Sequence, residues 1–298
     1  FGRTIAPIRL KSHVEDAIPS LVTLFEVLAI EDVDDLRPLE RWDSRDPNIT
    51  MAVPIGKREG GDLQHWDVQE DPPGETAKLA KDKWLGPHAL VAGTTGAGKG
   101  ELLRSLLLSM AANFHPHLVS FVLLDFKPPD FVDGLIQRLP HTISTITVLD
   151  VERVPRALTA LKAELNRRKR LFKEAGKRSG QPVRVIRRYM RLYDQGVVDV
   201  RLPYLVLVVD EFTILKEELP DALDHFVRIA VEGRVFGFRM ILATQRPAGV
   251  VKGQIEANIK SRMCLMVTKP EESREVIGDA GAAYFRRKGR VRWRDKQQ

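Results

Sequence analysis

Cysteine is almost absent from this sequence, which contains a single example, Cys264, among its 298 residues. One cysteine cannot form an internal disulfide, and no Cys/His cluster with metal-ligand spacing accompanies it. Long apolar runs are absent too: the longest, near Tyr204–Val209 and Arg239–Ala243, fall far short of the roughly 20 residues of a membrane-spanning helix. We therefore exclude a disulfide scaffold and a membrane span, and expect a soluble chain in a reducing compartment such as the cytosol.

The sequence also lacks an initiator methionine and a signal-peptide pattern, since it begins at Phe1. We interpret it as a fragment of a larger protein, so that any membrane anchor would lie outside it. Its 43% hydrophobic residues suffice for an α/β core of one large domain or two small ones. The net charge of +7 suggests an anionic partner, for which a nucleotide alone would be enough.

The first part of the chain, residues 1–84, has the pattern of a separate small element. An extended segment covers Met51–Gly56, and D-P-P-G at Asp71–Gly74 predicts a turn. Helical spacing of apolar residues precedes them, at Ile18, Leu21, Val22, Phe25 and Leu28. We predict that residues 1–84 form an N-terminal lead-in and that residues 85–298 form the main domain.

Within residues 85–298, short apolar runs alternate with longer helical stripes. This pattern predicts an α/β fold with a mostly parallel sheet and crossover helices. The predicted strands are His88–Ala92, Ser120–Phe126, Thr145–Leu149, Tyr204–Val209, Arg239–Ala243 and Arg262–Val267. The predicted helices cover Glu101–Phe114, a stripe of Val154, Leu158, Leu161, Leu165 and Phe172, and a stripe of Leu223, Phe226, Val227 and Ala230.

The stretch V-A-G-T-T-G-A-G-K-G, Val91–Gly100, has the form of a phosphate-binding P-loop. Its glycines let successive backbone N–H groups turn toward a phosphate, and the N-terminus of the following helix adds a partial positive charge. Lys99 supplies a full charge. A predicted strand precedes the loop and a helix follows it, as a P-loop requires. The predicted nucleotide-binding residues are Gly93, Thr94, Thr95, Gly96, Ala97, Gly98, Lys99, Gly100 and Glu101.

One position of this loop departs from the usual P-loop pattern. Gly100 stands where a serine or threonine hydroxyl normally binds Mg²⁺ directly, so water must fill that coordination site. The loop amides and Lys99 are unaffected by the change. We therefore predict ATP and Mg²⁺ as cofactors, with nucleotide binding surviving better than hydrolysis.

Two further strands end in polar residues suited to nucleotide chemistry. Y-L-V-L-V-V-D-E-F delivers Asp210, which would hold the Mg²⁺ shell through water, and Glu211, which would orient or deprotonate the attacking water. R-M-I-L-A-T-Q-R-P delivers Thr244 and Gln245 at a strand end, where an amide can sense the γ-phosphate. The predicted chemistry is ATP hydrolysis, with Asp210 as the metal-associated carboxylate.

These motifs occur together in an order that resembles the FtsK/SpoIIIE branch of the additional-strand RecA-like ATPases. The resemblance covers roughly residues 84–293 and rests on G-T-T-G-A-G-K, L-V-V-D-E-F, A-T-Q-R-P and G-Q-I-E-A-N-I-K-S-R-M-C-L-M-V. Within that branch the chain is most similar to the type VII secretion ATPases EccC and EssC, in V-P-I-G-K, G-P-H-A-L-V-A-G-T-T-G, F-H-P-H-L-V-S-F-V-L-L-D-F-K and L-P-H-T-I-S-T-I-T.

The resemblance implies a RecA-like motor domain that works in a ring with other ATPase domains or subunits. Proteins of this kind carry an N-terminal membrane anchor, which implies a location at the cytoplasmic face of a bacterial membrane. In the family a neighbour's arginine completes the ATP site, and Arg234, in E-G-R-V-F-G-F-R, matches that position. A solvated arginine after a helix is the competing interpretation of Arg234.

The chain departs from the family at a second place besides Gly100. Family members usually have a glycine pair after the second strand, whereas this chain has D-F-K-P-P at Asp125–Pro129, so that loop is expected to be more rigid. The sequence G-A-G-K-G also resembles a variant found in some plasmid-transfer members. Gly100 therefore need not indicate an inactive site.

Three functions remain open at the level of sequence. The first is an ATP-driven subunit that exports a secreted protein in type VII secretion. The second is a translocase of double-stranded DNA, and the third is a catalytically weak nucleotide-binding regulatory domain. The basic run Asn166–Arg191 is either a solvated helical face, with its arginines and lysines in water, or a DNA track.

Overall fold

The computed structural model describes residues 21–45, 50–67, 87–127, 134–147, 152–249, 251 and 253–293. Its strands are β1 (Ala52–Lys57), β2 (Leu63–Asp67), β3 (Ala89–Ala92), β4 (Val119–Asp125), β5 (Thr142–Thr147), β6 (Tyr204–Asp210), β7 (Phe238–Thr244), β8 (Ser261–Cys264) and β9 (Arg292–Trp293). Its helices are α1 (Leu24–Leu28), α2 (Pro38–Ser44), α3 (Lys99–Asn113), α4 (Gly134–Arg138), α5 (Val154–Ser179), α6 (Ile186–Asp194), α7 (Phe212–Glu218), α8 (Pro220–Gly233), α9 (Gln254–Asn258) and α10 (Pro270–Ile277). Short 3₁₀ turns occur at Asp34–Leu36, Arg234–Phe236 and Gly281–Tyr284.

Seven strands form one sheet in the order β5-β4-β6-β7-β3-β8-β9, and β1 pairs with β2 in a separate hairpin. Neighbouring strands from β5 to β8 are parallel, and β9 runs antiparallel to β8. The predicted α/β class with a mostly parallel sheet is therefore confirmed. Because parallel strands point the same way, the segments that follow β3, β4, β6 and β7 all leave the sheet at one edge.

The central strands are buried on both faces, which explains why they read as continuous apolar runs instead of alternating ones. Every residue of β4, β6 and β7 is buried. One face packs against α3, α4, α6 and the β1-β2 hairpin, and the other packs against α7, α8, α9 and α10. The long helix α5 contributes Leu161 and Leu165 to the second core and Phe172 to the first.

Several element boundaries differ from those predicted. Strand β5 begins earlier, at Thr142, and the predicted end at Leu149 lies outside the described residues. Strand β8 ends at Cys264 and not at Val267, because the chain then turns onto the phosphate loop. There the Leu265 N–H donates to the Ala92 carbonyl at 2.8 Å.

The predicted helical stripe in the lead-in is only partly correct. Helix α1 begins at Leu24, because Thr23 caps it: the Thr23 hydroxyl accepts the Glu26 N–H at 3.2 Å, and a Glu26 carboxylate oxygen accepts the Thr23 N–H at 2.8 Å. Leu21 precedes the helix and its side chain is 73% exposed. Ile18 lies outside the described residues.

The described part of the lead-in packs directly on the main domain. Met51, Val53 and Trp66 are buried in the core that also contains α3. The indole N–H of Trp42 donates to the carbonyl of Ala111 on α3 at 2.9 Å. The division at residue 84 stays a prediction, and the turn predicted at Asp71–Gly74 lies outside the described residues. No helix in the part of the chain that the structure describes is long and apolar enough to cross a membrane.

Candidate nucleotide site

The P-loop connects β3 to α3 and needs glycine at three positions for different reasons. Gly96 and Gly98 have φ of +76° and +101°, a left-handed backbone that other L-residues rarely adopt. A Cβ on Gly93 would lie 2.8 Å from the Cβ of Leu265, so this residue allows β3 and the chain after β8 to approach closely. The strand, loop and helix therefore occur in the arrangement that the sequence predicted.

Lys99 and Asp210 meet below the loop. Both side chains are buried, and the Lys99 ammonium forms an ion pair with Asp210 Oδ1. The same oxygen accepts the Glu211 N–H at 2.9 Å. Asp210 Oδ2 is buried and has no hydrogen-bond partner among the described residues, which is costly unless a water or cation is bound there. Asp210 Oδ2 is therefore the atom that could hold the hydration shell of a metal ion.

Glu211 lies in a strained backbone conformation, with φ of +51°, which is uncommon for a non-glycine residue. Its side chain is 5% exposed, and one carboxylate oxygen accepts the hydroxyls of Thr213 at 2.6 Å and Thr244 at 2.9 Å. The backbone N–H of Gln245 donates to the other oxygen at 3.0 Å. The carboxylate of Glu211 is therefore fixed between β6 and the end of β7.

Gln245 connects this carboxylate to the P-loop. Its side-chain oxygen accepts the hydroxyl of Thr95 at 2.5 Å, across 150 residues of sequence. The Gly93 N–H also donates to the Thr244 carbonyl at 3.2 Å, which extends the contact between β3 and β7 beyond the strands. The structure thus brings the P-loop, Asp210, Glu211 and Gln245 together, as the sequence predicted.

Other predicted loop residues have structural partners in this conformation. The N–H and the hydroxyl of Thr94 both donate to the Met266 carbonyl, at 2.9 and 3.0 Å. The Ala97 N–H donates to the Thr94 carbonyl at 3.0 Å. Glu101 points outward and forms an ion pair with Arg104 at 2.5 Å, so the side chain of Glu101 does not face the loop. Gly100 lies in the first turn of α3.

The metal fit can be judged from the donor set. No group of three or more His, Cys, Asp or Glu side chains placed to hold a metal ion occurs in the described ranges. An ion at Asp210 Oδ2 would therefore take most of its ligands from phosphate oxygens and water. That is the usual coordination of Mg²⁺ in nucleotide sites, so the residues present fit this ion.

Two further residues, Asp125 and Thr213, lie at this site and were not predicted from the sequence to do so. Asp125 ends β4 and pairs in register with Asp210, so two buried carboxylates lie side by side at the edge of the sheet. The Lys127 N–H donates to Asp125 Oδ1 at 3.2 Å. Thr213, which anchors Glu211, is the other. The position of Asp125 at a strand end was a usable signal, whereas nothing in the sequence distinguished Thr213.

Arg234 lies at the opposite edge of the sheet from the P-loop of its own chain. It begins the 3₁₀ turn that precedes β7, whereas Thr244 and Gln245 follow that strand. Seven strand residues at about 3.3 Å each separate the two edges by about 20 Å. Arg234 is exposed and cannot reach its own loop, so a role in phosphate chemistry requires the site of another subunit.

Two buried arginines hold the backbone of the turn that carries Arg234. Arg239 is 0% exposed and donates to the Arg234 carbonyl at 2.8 Å, while its guanidinium stacks over the ring of Tyr204. Arg168 on α5 is 2% exposed and donates to the Phe236 carbonyl at 2.7 Å. Both contacts restrict the turn from inside the domain.

The burial of Arg168 corrects one expectation for the basic run Asn166–Arg191, which placed all of its arginines and lysines in water. Glu164, one turn earlier, accepts Arg168 Nε at 2.7 Å and Arg167 Nε at 2.6 Å. These contacts lower the pKa of the Glu164 carboxyl against the opposing effect of its burial. The charge of this run is therefore partly neutralised by its own helix.

Comparisons with known proteins place this geometry in a family. The FtsK/SpoIIIE family matches residues 39–249. The type VII secretion system protein EssC of Staphylococcus aureus is 39% identical over 98% of the chain, and the ESX secretion system protein YukB of Bacillus subtilis is 34% identical over 97%. The chain spans only 18% of the length of each of these relatives.

Solved structures agree with the sequence matches. The cytoplasmic domain of the type VII secretion ATPase EccC of Thermomonospora curvata matches 93% of the chain and 31% of its own length, with a TM-score of 0.79 and 30% identity. The pCW3 conjugation coupling protein TcpA matches 86% of the chain and 66% of its own length, with a TM-score of 0.64, but its 20% identity supports the fold alone. With a family match over most of its length, a curated relative at 39% identity and a RecA-like P-loop fold, the chain belongs to the FtsK/SpoIIIE family.

Proposed function

We propose that this chain is an ATP-binding motor domain that drives protein export in type VII secretion. The observation that carries the proposal is the meeting of Lys99 and the half-satisfied Asp210 carboxylate beneath a glycine loop. The identity to EssC and YukB supports export over DNA transfer as the use of this site. The alternative function is a regulatory domain that binds nucleotide and hydrolyses little of it, because Gly100 supplies no hydroxyl ligand for Mg²⁺.

The residues of the site divide the work of binding and hydrolysis. The loop amides and the N-terminus of α3 bind the phosphates, and Lys99 leaves Asp210 to neutralise their charge. Mg²⁺, when bound, supplies further positive charge at the phosphate oxygens, and Asp210 Oδ2 would hold its hydration shell. Glu211 orients the attacking water, since its carboxylate is fixed by Thr213 and Thr244.

Gln245 couples phosphate binding at the P-loop to the position of the Glu211 carboxylate. Its N–H bonds Glu211 and its side-chain oxygen bonds Thr95, so a phosphate arriving at the loop competes for the Thr95 hydroxyl. A change at Thr95 is then transmitted to the carboxylate that orients water. This gives Gln245 the sensor role that its strand-end position predicts.

Arg234 completes the site of a neighbouring ATPase domain or subunit. Its distance from its own P-loop and the two buried arginines behind its turn support this assignment. A rigid turn keeps the guanidinium preorganised, so little conformational entropy is lost when it meets a phosphate. The motor is therefore a ring, at the cytoplasmic face of a membrane to which other parts of the protein anchor it.

The cargo of this motor is a secreted protein. EssC and YukB, at 39% and 34% identity, are secretion proteins, and Thermomonospora curvata EccC ATPases 2 and 3, at 25% identity, were solved with a signal sequence peptide. Lys99→Ala in the complete protein should abolish export of secreted proteins, measured by quantifying them in culture supernatants. Lys216→Ala, which changes an exposed lysine on α7, is the matched control. Unchanged export in cells carrying Lys99→Ala at normal protein levels would contradict the proposal.

Gly100→Ser should raise the hydrolysis rate of the assembled motor, because it restores a direct hydroxyl ligand for Mg²⁺. Serine also has a higher helix propensity than glycine by about 0.5 kcal/mol, so stability must be controlled separately. Gly100→Ala gains helix propensity without a hydroxyl and is the matched control. Steady-state ATPase rates at several Mg²⁺ concentrations distinguish the variants. Equal rates for all three proteins would indicate that water replaces the hydroxyl without loss.

A further inference from the structure

A short basic segment near the C-terminus lies against the P-loop. The segment Arg286–Arg290, with the sequence R-R-K-G-R, contains four cationic side chains in five residues. It follows the 3₁₀ turn at Gly281–Tyr284 and leads into β9, at the edge of the sheet next to β8. The Gly289 N–H donates to the carbonyl of Ala97 at 2.9 Å, which fixes this segment on the loop.

The contact between segment and loop is close on both sides of Ala97. A Cβ on Gly98 would lie 3.2 Å from the backbone N and Cα of Gly289. A Cβ on Gly96 would lie 3.6 Å from the Nζ atom of Lys288. The exposed ammonium group of Lys288 therefore lies beside the loop at Gly96, whereas the ammonium group of Lys99 is buried.

Within the part of the chain that the structure describes, the charge at Lys288 has no acidic partner. Its side chain is exposed, and no carboxylate among the described residues forms an ion pair with it. The nearest elements are a loop rich in backbone N–H groups and the positive N-terminus of α3. A cation held here gains favourable electrostatic energy only when an anion occupies the loop.

We propose that Lys288 is a second cationic ligand of the nucleotide phosphates, which it contacts from the solvent side of the P-loop. This inference rests on the proposed nucleotide site and assigns it a residue from the far end of the chain. In a P-loop with serine or threonine at the position of Gly100, Mg²⁺ neutralises much of the negative charge of the phosphates. Here Lys288 neutralises part of that charge. The nucleotide then binds with a weaker dependence on Mg²⁺ than in such a loop.

Lys288→Ala should weaken ATP and ADP binding by about tenfold, the effect of losing one charged hydrogen bond, and leave adenosine binding unchanged. The loss for ATP should be larger without Mg²⁺ than with it. Lys288→Arg should retain most of the affinity, because it keeps the positive charge. Isothermal titration calorimetry on the 298-residue chain with ATP, ADP and adenosine, each with and without Mg²⁺, measures these affinities.

Two matched variants and the wild-type chain separate the outcomes. Lys216→Ala removes an exposed lysine of α7 that makes no contact in the proposed site and should bind all three ligands normally. Arg287→Ala removes the neighbouring charge, and a loss equal to that of Lys288→Ala would indicate diffuse attraction and overturn the contact. Unchanged ATP affinity in Lys288→Ala overturns the role of Lys288 alone. A folded wild-type chain that binds no nucleotide overturns the proposed function itself.

Discussion

Lys99→Ala is expected to lower ATP affinity by about 100-fold or more, because it removes the positive charge that would face the phosphates from the buried side of the loop. It should also lower the free energy of unfolding by about 3–5 kcal/mol, since it leaves Asp210 buried without its ion-pair partner. Calorimetry with ATP and urea unfolding measure the two effects separately. Unchanged ATP affinity in the folded variant would refute the site.

The double variant Lys99→Met/Asp210→Asn separates stability from binding. It removes both charges, so the cost of a buried, unpaired carboxylate disappears and the stability should largely return. ATP affinity should not return, because the cation is still missing. A double variant as unstable as Lys99→Ala would show that the loss comes from the missing ion pair itself and not from an unpaired buried carboxylate.

Arg168→Met is expected to lower the free energy of unfolding by about 2–3 kcal/mol, although methionine fills much of the same volume. The substitution leaves the Phe236 carbonyl without its side-chain donor and removes one of the two arginines that donate to Glu164. It also removes the guanidinium packed over the ring of Phe238. Urea unfolding measures the loss, and Arg170→Met, at an exposed position on the same helix, should change stability by less than about 0.5 kcal/mol.

The same variant tests whether Arg168 positions the turn of Arg234. In the folded, assembled protein, Arg168→Met should reduce the ATPase rate while ATP affinity stays unchanged. The reason is that Arg234 would stabilise the transition state of hydrolysis in the neighbouring subunit and not the binding of ATP. Arg170→Met should leave the rate unaltered. A normal rate in assembled Arg168→Met would show that its buried contacts serve stability alone.

The parts of the site that could be predicted are those encoded by contiguous motifs. The P-loop glycines, Lys99, Asp210 and Gln245 each follow an apolar strand, and the direction of parallel strands brings them to one edge. Local chemistry specifies such positions almost completely. The same reasoning explains why six strands of the sheet and the three helices predicted in the main domain were placed within a few residues at most boundaries, whereas β9 and the shorter helices were not predicted.

The parts that could not be predicted depend on contacts between distant segments. Glu211 is held by Thr244 across 33 residues, and Arg168 by the Phe236 carbonyl across 68. The apolar periodicity of the helix predicts that Arg168 is solvated, because Arg168 is not one of the apolar residues. Periodicity cannot predict a contact with a carbonyl group of a distant element. The contact of Gly289 with Ala97 is of the same kind.

The burial of Cys264 has a practical consequence for studying the ring. This only cysteine of the sequence lies in β8 with 0% exposure, and burial, with the nearby carboxylates of Asp279 and Glu272, raises the pKa of its thiol to about 12. At neutral pH almost none of it is thiolate, the form that reacts with maleimides. The natural chain is therefore a suitable background for attaching fluorophores or spin labels at introduced surface cysteines, with Cys264 left in place.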